Sequence, residues 1–221
     1  MNDSIIISDL HLGNNVYQSK KINQFFTEIE KEHIKTKEII VNGDLFDSRD
    51  FRKLKNSHWK VLSHLRKLSK TKHIVWINGN HDGPAETISH LIGLDFVEEY
   101  QFTSGTKNIL VLHGDQFDNF ISKYPLFTRI ADQAYRFIQR IDKSSYLAKL
   151  AKKSSKTFMR CSEQIKNKAI KYGSSRNANI VVCGHTHLAS VSETYCNSGC
   201  WTESPCHYLT VYDGHITLRE Y

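Results

Sequence analysis

The chain has 221 residues, 39% hydrophobic and 24% charged, enough apolar material for the core of one globular domain. That composition excludes collagen-like, disordered and disulfide-scaffold classes, and no apolar run approaches the roughly 20 residues that cross a bilayer. Thirty Lys and Arg against 23 Asp and Glu give a net charge of +7, but the excess is local: between positions 119 and 177, fourteen Lys and Arg face only Asp132, Asp142 and Glu163. That segment carries +11 and the rest of the chain −4.

Taken in chain order, short β-branched runs alternate with stretches of helical period, the pattern of an α/β protein. Residues 4–8 predict a strand that ends in Asp9-Leu10-His11. A helix follows over about 18–33, with Ile22, Phe25, Phe26 and Ile29 on one face. Residues 38–42 predict a second strand, ending in Gly43-Asp44, and Trp59, Leu62 and Leu65 mark a helix over 55–68. Strands at 73–77, 108–112 and 179–183 run into Gly79-Asn80-His81-Asp82, His113-Gly114-Asp115 and Gly184-His185-Thr186-His187. Residues 121–172 have helical period and no strand signal, which predicts a helical insertion or cap at about 119–177 on a single domain spanning 1–221. Beyond Thr186, residues 188–195, 207–212 and 215–220 predict antiparallel strands, the last two joined by a tight turn at Asp213-Gly214.

Five cysteines without paired CxxC spacing argue against a zinc knuckle or disulfide frame and for free thiols in a reducing cytosol, with Cys183 in the core. The apolar stretch at 5–7 is too short for a signal peptide, so the chain is expected to be mature from about Met1 and cytoplasmic.

The informative regularity is what stands at the end of each apolar run. Sites in α/β sheets are built beyond the carboxyl ends of the strands, so five runs deliver polar side chains to one place. The set comprises Asp9, His11, Asp44, Asn80, His113, His185 and His187, oxygen and nitrogen donors suited to Mn, Fe or Zn. Seven are too many for one tetrahedral ion and suit two ions sharing a carboxylate. Any one of these histidines alone would more simply be a satisfied core or surface residue; five strand ends carrying such groups make coincidence a poor account.

The ordered motifs DLH, GD, GNHD, HGD and GHTH, spanning positions 9–187, resemble those of the calcineurin-like metallophosphoesterases. The resemblance implies a four-layer α/β sandwich, two mixed sheets flanked by helices, around a two-metal centre. One ion would be held by Asp9, His11, Asp44 and His187, the other by Asp44, Asn80, His113 and His185, with Asp44 bridging. The ions would be divalent, Mn2+ ahead of Fe or Zn, and would activate water so that no protein nucleophile is needed. His81 would face the substrate, stabilising the transferring phosphoryl group or protonating the leaving oxygen, and Asp82 would either orient His81 or shape the turn. Asp47, Asp115 and Asp118 are candidates to hold ligands in place from behind.

Within that superfamily the chain most resembles the UDP-2,3-diacylglucosamine pyrophosphatases of lipid A synthesis and their paralogues. The shared features are SDLHLG, GDLFD, HGDQFD, a basic helical insertion and a tail here formed by Tyr195, Asn197, Gly199, Trp201, Glu203 and Ser204. The pathway enzymes carry arginine after the ligand asparagine; this chain carries His81, as general phosphoesterases and the paralogous branch do, which leaves the lipid substrate open. In the insertion, Ser145, Lys149 and Lys153 share a helix face and resemble a substrate-binding Ser and Lys pair of the family. An apolar inner face with a cationic rim suits a nucleotide-linked glycolipid or an anionic inner-membrane surface, and a peripheral position there. The alternatives are nucleic acid or soluble nucleotides as substrate, a docking module without activity, or a helical hairpin packed on the body with a solvated basic outside.

Overall fold

Alternation along Ile5, Ile6 and Ile7 decides the architecture, because neighbouring strand residues face opposite sides of a sheet and here all three are buried. A strand apolar on both faces must be covered twice. The computed structural model, which describes residues 1–14, 18–83, 85–118 and 155–221, covers it with helices on one face and a second sheet on the other.

The first sheet holds β1 (Asn2–Ile7), β2 (Thr36–Asn42), β3 (His73–Ile77) and β4 (Asp95–Val97) in parallel, extended beyond β1 by the antiparallel β10 (His207–Tyr212) and β11 (His215–Glu220). Its register sets Ile5 beside Ile39 and Ile39 beside Ile74. The second sheet has the order β5 (Glu99–Ser104), β6 (Lys107–Leu112), β7 (Ile180–Cys183), β9 (Tyr195–Asn197), β8 (Ser190–Val191). It is also mixed, since β6, β7 and β9 are parallel while β5 and β8 run against them.

Four layers follow from which side chains meet. Ile5, Ile7, Ile39, Val41 and Trp76 pack against α1 (Ser19–Glu30), α2 (Asn56–Leu68) and α3 (Ala85–Ile92), whose apolar stripes include Phe25, Phe26, Leu62 and Leu65. Ile6, Ile40, Val75 and Ile77 meet Ile109, Val111, Ile180 and Val182 between the sheets. Leu110, Leu112, Val181 and Cys183 face outward onto α4 (Lys156–Ser175), which buries Ile165, Ala169 and Gly173. Each fully buried aliphatic side chain is worth about 1.5–3 kcal/mol, so these interfaces hold the strand ends in fixed relation.

The five expected strands that carry the motifs form, as do the first two helices and the β10–β11 hairpin, where Asp213 and Gly214 supply the two positive φ angles of its turn. Two departures stand beside them. Residues 188–195, expected as one antiparallel strand, hold the two-residue β8, and β9 begins only at Tyr195 and runs parallel to β7. The elements α3, β4 and β5 carry no signal strong enough to have been expected. Of the segment expected as a helical insertion or cap, the described part is α4, whose buried face forms the outer layer of the second sheet; residues 119–154 lie outside the described residues. Ser145, Lys149 and Lys153 lie outside the described residues. Among the described residues no helix is long and apolar enough to cross a membrane.

Candidate metal centre

The loops leaving β1 and β2 continue the pairing of their strands. Asp9 N–H donates to the Gly43 carbonyl (3.1 Å), His11 N–H to that of Asp44 (3.0 Å), Leu12 N–H to that of Leu45 (2.8 Å) and Asp47 N–H back to that of Leu12 (3.0 Å). This lacing brings Asp9, His11 and Asp44 together before any side-chain contact is counted. Asp9, His11, Asp44, His185 and His187 all have φ between 49° and 61°, the left-handed region that Asp, Asn and His tolerate better than other non-glycine residues. Each such residue costs of order 1–3 kcal/mol, and their clustering marks a strained, over-determined site.

Two glycines make room. Gly43 has φ 78° and a Cβ there would run into the His113 ring; a Cβ on Gly79 would meet the Asp44 amide and carboxylate. Both positions require close backbone approach.

At the middle stands Asp44, 2% exposed. Its Oδ2 lies 3.4 Å from His113 Nε2, 3.7 Å from His11 Nε2 and 4.0 Å from His81 Nε2. Its Oδ1 accepts the His81 backbone N–H at 2.9 Å. Asp9 Oδ1 is 3.0 Å from His187 Nε2 and 3.8 Å from His11 Nε2, and Asp9 Oδ2 accepts the His185 N–H at 3.1 Å. The donor atoms of Asp9, His11 and His187, of His11, Asp44 and His81, and of Asp9, Asp44 and His113 each fall within 4.8 Å of one another.

The chemistry of this set fits divalent cations. His113 Nδ1–H donates to the Asn42 carbonyl at 2.9 Å, which leaves the lone pair of neutral imidazole on Nε2, facing Asp44. His113 Nε2 and His11 Nε2 are buried with no hydrogen-bond partner among the described residues. A lone pair aimed at a carboxylate is unfavourable unless positive charge lies between them, and a proton or a metal ion meets that need. The titration behaviour says the same. Burial works against the charged His113 ring, but Asp44 outweighs it and raises the pKa to about 10. Asp44 is held well below the ordinary carboxylate range despite its burial, chiefly by His113. Burial pushes Asp9 up, the His187 imidazole overrides it, and the result is about 2. His11, where burial prevails over Asp44, falls to about 4 and stays a neutral donor near pH 7.

Not every expected ligand converges. His185 Nε2 sits 3.0 Å from Asp118 Oδ2, its ring edge-on to His113 with centroids 5.3 Å apart. Asn80 is exposed on the turn after β3.

Asp82 does not orient His81. Its fully buried carboxylate accepts the N–H groups of Asp44 (2.9 Å), Phe46 (3.0 Å) and Gly79 (3.0 Å) and the indole N–H of Trp76 (3.2 Å), tying the turns after β2 and β3 together. Burial, then the neighbouring Asp44 charge, pushes its pKa up to about 7 against those donors. The group that orients His81 is instead the Asp47 carbonyl, 2.9 Å from His81 Nδ1. Asp47 also brings its Oδ1 to 3.6 Å from His11 Nδ1 and accepts the Asn14 amide at 2.8 Å. Asp118 supports His185 as described, whereas the His113 ring is held by Asn42 rather than by Asp115. Main-chain carbonyls leave no mark in a sequence, which is why Asn42 and the Asp47 carbonyl could be found only in three dimensions.

The fold resembles several solved structures. One is Yfce, a phosphoesterase from E. coli, at 14% identity over 94% of this chain and 86% of that one, TM-score 0.50. Others are a predicted phosphoesterase from Streptococcus pneumoniae (16% identity, 100% and 98% covered, TM-score 0.44) and Vps29 complexed with Zn2+ from Entamoeba histolytica (13% identity, 99% and 97% covered, TM-score 0.45). At these identities the likeness is one of fold. No curated protein matches the sequence. The family model of the calcineurin-like phosphoesterases matches residues 4–189, which include every strand end that feeds the centre, and the chain belongs to that family.

Proposed function

We propose that the protein hydrolyses a phosphate ester or pyrophosphate at a centre of two divalent ions, Mn2+ first among them. The observation that carries the reading is Asp44 Oδ2, buried and faced by the Nε2 atoms of His113, His11 and His81 at 3.4, 3.7 and 4.0 Å. Asp9, His11, Asp44 and His187 would hold one ion; Asp44, Asn80, His113 and His185 the other, with His185 exchanging Asp118 for it. Such a pair supplies a hydroxide near neutral pH and neutralises phosphoryl oxygens.

The chain's own groups do the rest. His81 Nδ1–H donates to the Asp47 carbonyl in both charge states of the ring, so Nε2 is the atom that gains and loses the proton, and it faces the centre. It is placed to stabilise the transferring phosphoryl group and protonate the leaving oxygen. The Asn42 carbonyl, through His113 Nδ1, fixes a second imidazole in the tautomer a ligand needs.

The substrate we favour is nucleotide-linked or lipid-linked, as in the UDP-2,3-diacylglucosamine pyrophosphatases. The +11 carried by residues 119–177 of the sequence supports an anionic partner, and within the described part of that segment Lys156, Arg160 and Lys171 are exposed on α4. The same charge would attract the protein to the cytoplasmic face of an anionic inner membrane. The test is a panel assay with added Mn2+: an aryl phosphomonoester, an aryl phosphodiester, UDP-2,3-diacylglucosamine, a cyclic nucleotide and single-stranded DNA. Hydrolysis lost in both Asp44→Ala and His113→Ala is expected. Undiminished turnover in both variants overturns the centre; turnover of DNA or the cyclic nucleotide but not the glycolipid moves the substrate to nucleic acid or soluble nucleotides.

A further inference from the structure

A third type of donor borders the centre. The ligand atoms of His187, Cys200 and Glu203, an imidazole nitrogen, a thiol sulfur and a carboxylate oxygen, lie within 4.8 Å of one another. Cys200 and Glu203 are 2% and 4% exposed, and His187 is half-buried. The segment that carries them is pinned to the centre, because Trp201 N–H donates to the Asp9 carbonyl at 3.1 Å and Ser198 N–H to that of Cys183 at 3.0 Å. The Thr202 hydroxyl donates to Cys200 Sγ at 3.5 Å, which fixes the sulfur in place.

Donor type separates this set from the phosphoesterase centre. Asp9, His11, Asp44 and His113 offer only oxygen and nitrogen, which accept hard and borderline ions; a thiolate selects Zn2+ over Mn2+ or Mg2+. Three donors of the His, Cys and carboxylate types, with water in the fourth position, make an ordinary tetrahedral zinc environment. Zinc bond lengths of about 2.0–2.3 Å place tetrahedral ligand atoms roughly 3.3–3.8 Å apart, so the set closes with shifts of about 1 Å. His187 belongs to both groups.

We propose that His187, Cys200 and Glu203 form a thiolate-containing Zn2+ site that competes with the phosphoesterase centre for His187, so that zinc in excess inhibits hydrolysis. On binding, the Cys200 S–H bond breaks, its proton passes to water and a sulfur–zinc bond forms, with no change of oxidation state. The site stands on its own geometry; only its effect on turnover rests on the function proposed above.

Cobalt(II) is the probe, because thiolate ligation gives a sulfur-to-cobalt charge-transfer band that oxygen and nitrogen ligation lacks. Metal-free full-length protein titrated with Co2+ is expected to develop this band and to lose it when Zn2+ is added. Cys200→Ser, which keeps the size of the side chain and the other four cysteines, loses the band; Cys161→Ser keeps it; Glu203→Gln weakens cobalt affinity about tenfold or more. In Mn2+-supported hydrolysis, with each protein scaled to its own uninhibited rate, the zinc midpoint rises about tenfold or more in Cys200→Ser. Absence of the band in the wild type, or its survival in Cys200→Ser, overturns the site, and equal zinc midpoints overturn the competition for His187. A cobalt–thiolate band in a protein that hydrolyses no phosphate ester sinks the phosphoesterase reading and leaves the zinc site standing.

Discussion

His81 Nδ1 lies 2.9 Å from the Asp47 carbonyl while its Nε2 lies 4.0 Å from Asp44 Oδ2, so one ring is anchored on its far side and presents its other nitrogen to the centre. Its role is therefore separable from metal binding. His81→Ala is expected to lower kcat by about 10²–10⁴-fold, the usual worth of a positioned acid or base. The thermal shift on adding Mn2+ should persist, because no other candidate ligand loses a bond. A variant that loses the thermal shift together with kcat would make His81 a ligand instead.

Asp82 answers differently. Its carboxylate satisfies four buried donors, and Asp82→Ala would strand Asp44, Phe46 and Gly79 N–H and the Trp76 indole at once. We expect a loss of about 3–5 kcal/mol in urea unfolding, the range for a broken buried charged network. Asp82→Asn should lose less, since one amide oxygen still accepts. A loss below 1 kcal/mol for the alanine variant would contradict the hub role.

Asp44→Asn removes a buried charge while keeping a residue that tolerates φ 52°. A ligand at about 100 times its Kd adds roughly 2.7 kcal/mol to stability, which raises Tm by about 5–10 °C for a domain of this size. Differential scanning fluorimetry should show that rise with Mn2+ in the wild type and less than about 2 °C in the variant. An equal shift in both would remove Asp44 from metal binding.

Gly43→Ala tests the approach of the loop to His113. The left-handed φ of 78° and the collision with the imidazole together should cost more than about 2 kcal/mol and displace His113 from Asp44. Both the unfolding free energy and the Mn2+ thermal shift should fall. Retention of the full shift would show that the His113 position tolerates movement.

A pH dependence arises far from the centre, at the opposite strand ends. His73 Nδ1 is 2.8 Å from Glu38 Oε1 and Nε2 is 2.8 Å from Asp95 Oδ2, while Glu38 also accepts from Ser4 and Tyr100. Partial burial disfavours the charged ring, but the bonds to Asp95 and Glu38 outweigh it and raise the pKa. The contribution is complete below the unfolded value of about 6.5 and is lost as pH rises through the higher folded value. The stability difference between wild type and His73→Gln should therefore be largest near pH 5.5 and shrink above pH 7; because the ring is half exposed it stays modest. A difference that grows with pH would reverse the assignment.

What could be read from the sequence follows burial. β1, β2, β3, β6 and β7 are apolar on both faces and end in polar turns, so each announces itself. β4 and β5 form the outer edges of their sheets, and in β5 Glu99 and Tyr100 are both half-buried before Gln101 is exposed, so the strand opens without a clean period. α3 has only eight residues, about two turns, over which a period is weak. β9 pairs in parallel with β7 across a sequence gap, and a parallel pairing has no local turn to mark it. At the centre, side chains with chemistry of their own were legible as types, and Asp9, His11, Asp44, His113 and His187 do meet. Which oxygen holds which ring was not, because Asn42 and Asp47 act through the main chain.

The left-handed turns at Asp9, His11, Asp44, His185 and His187 have a consequence beyond chemistry. Those five backbones exclude β-branched side chains whatever the protein is asked to do. A library of variants selected only for folding, with no phosphate ester in the medium, would still retain Asp, Asn, His or Gly at the five positions and discard Val and Ile. Tolerance to substitution measured there reports the shape of the chain first, and its chemistry only among residues that the shape admits.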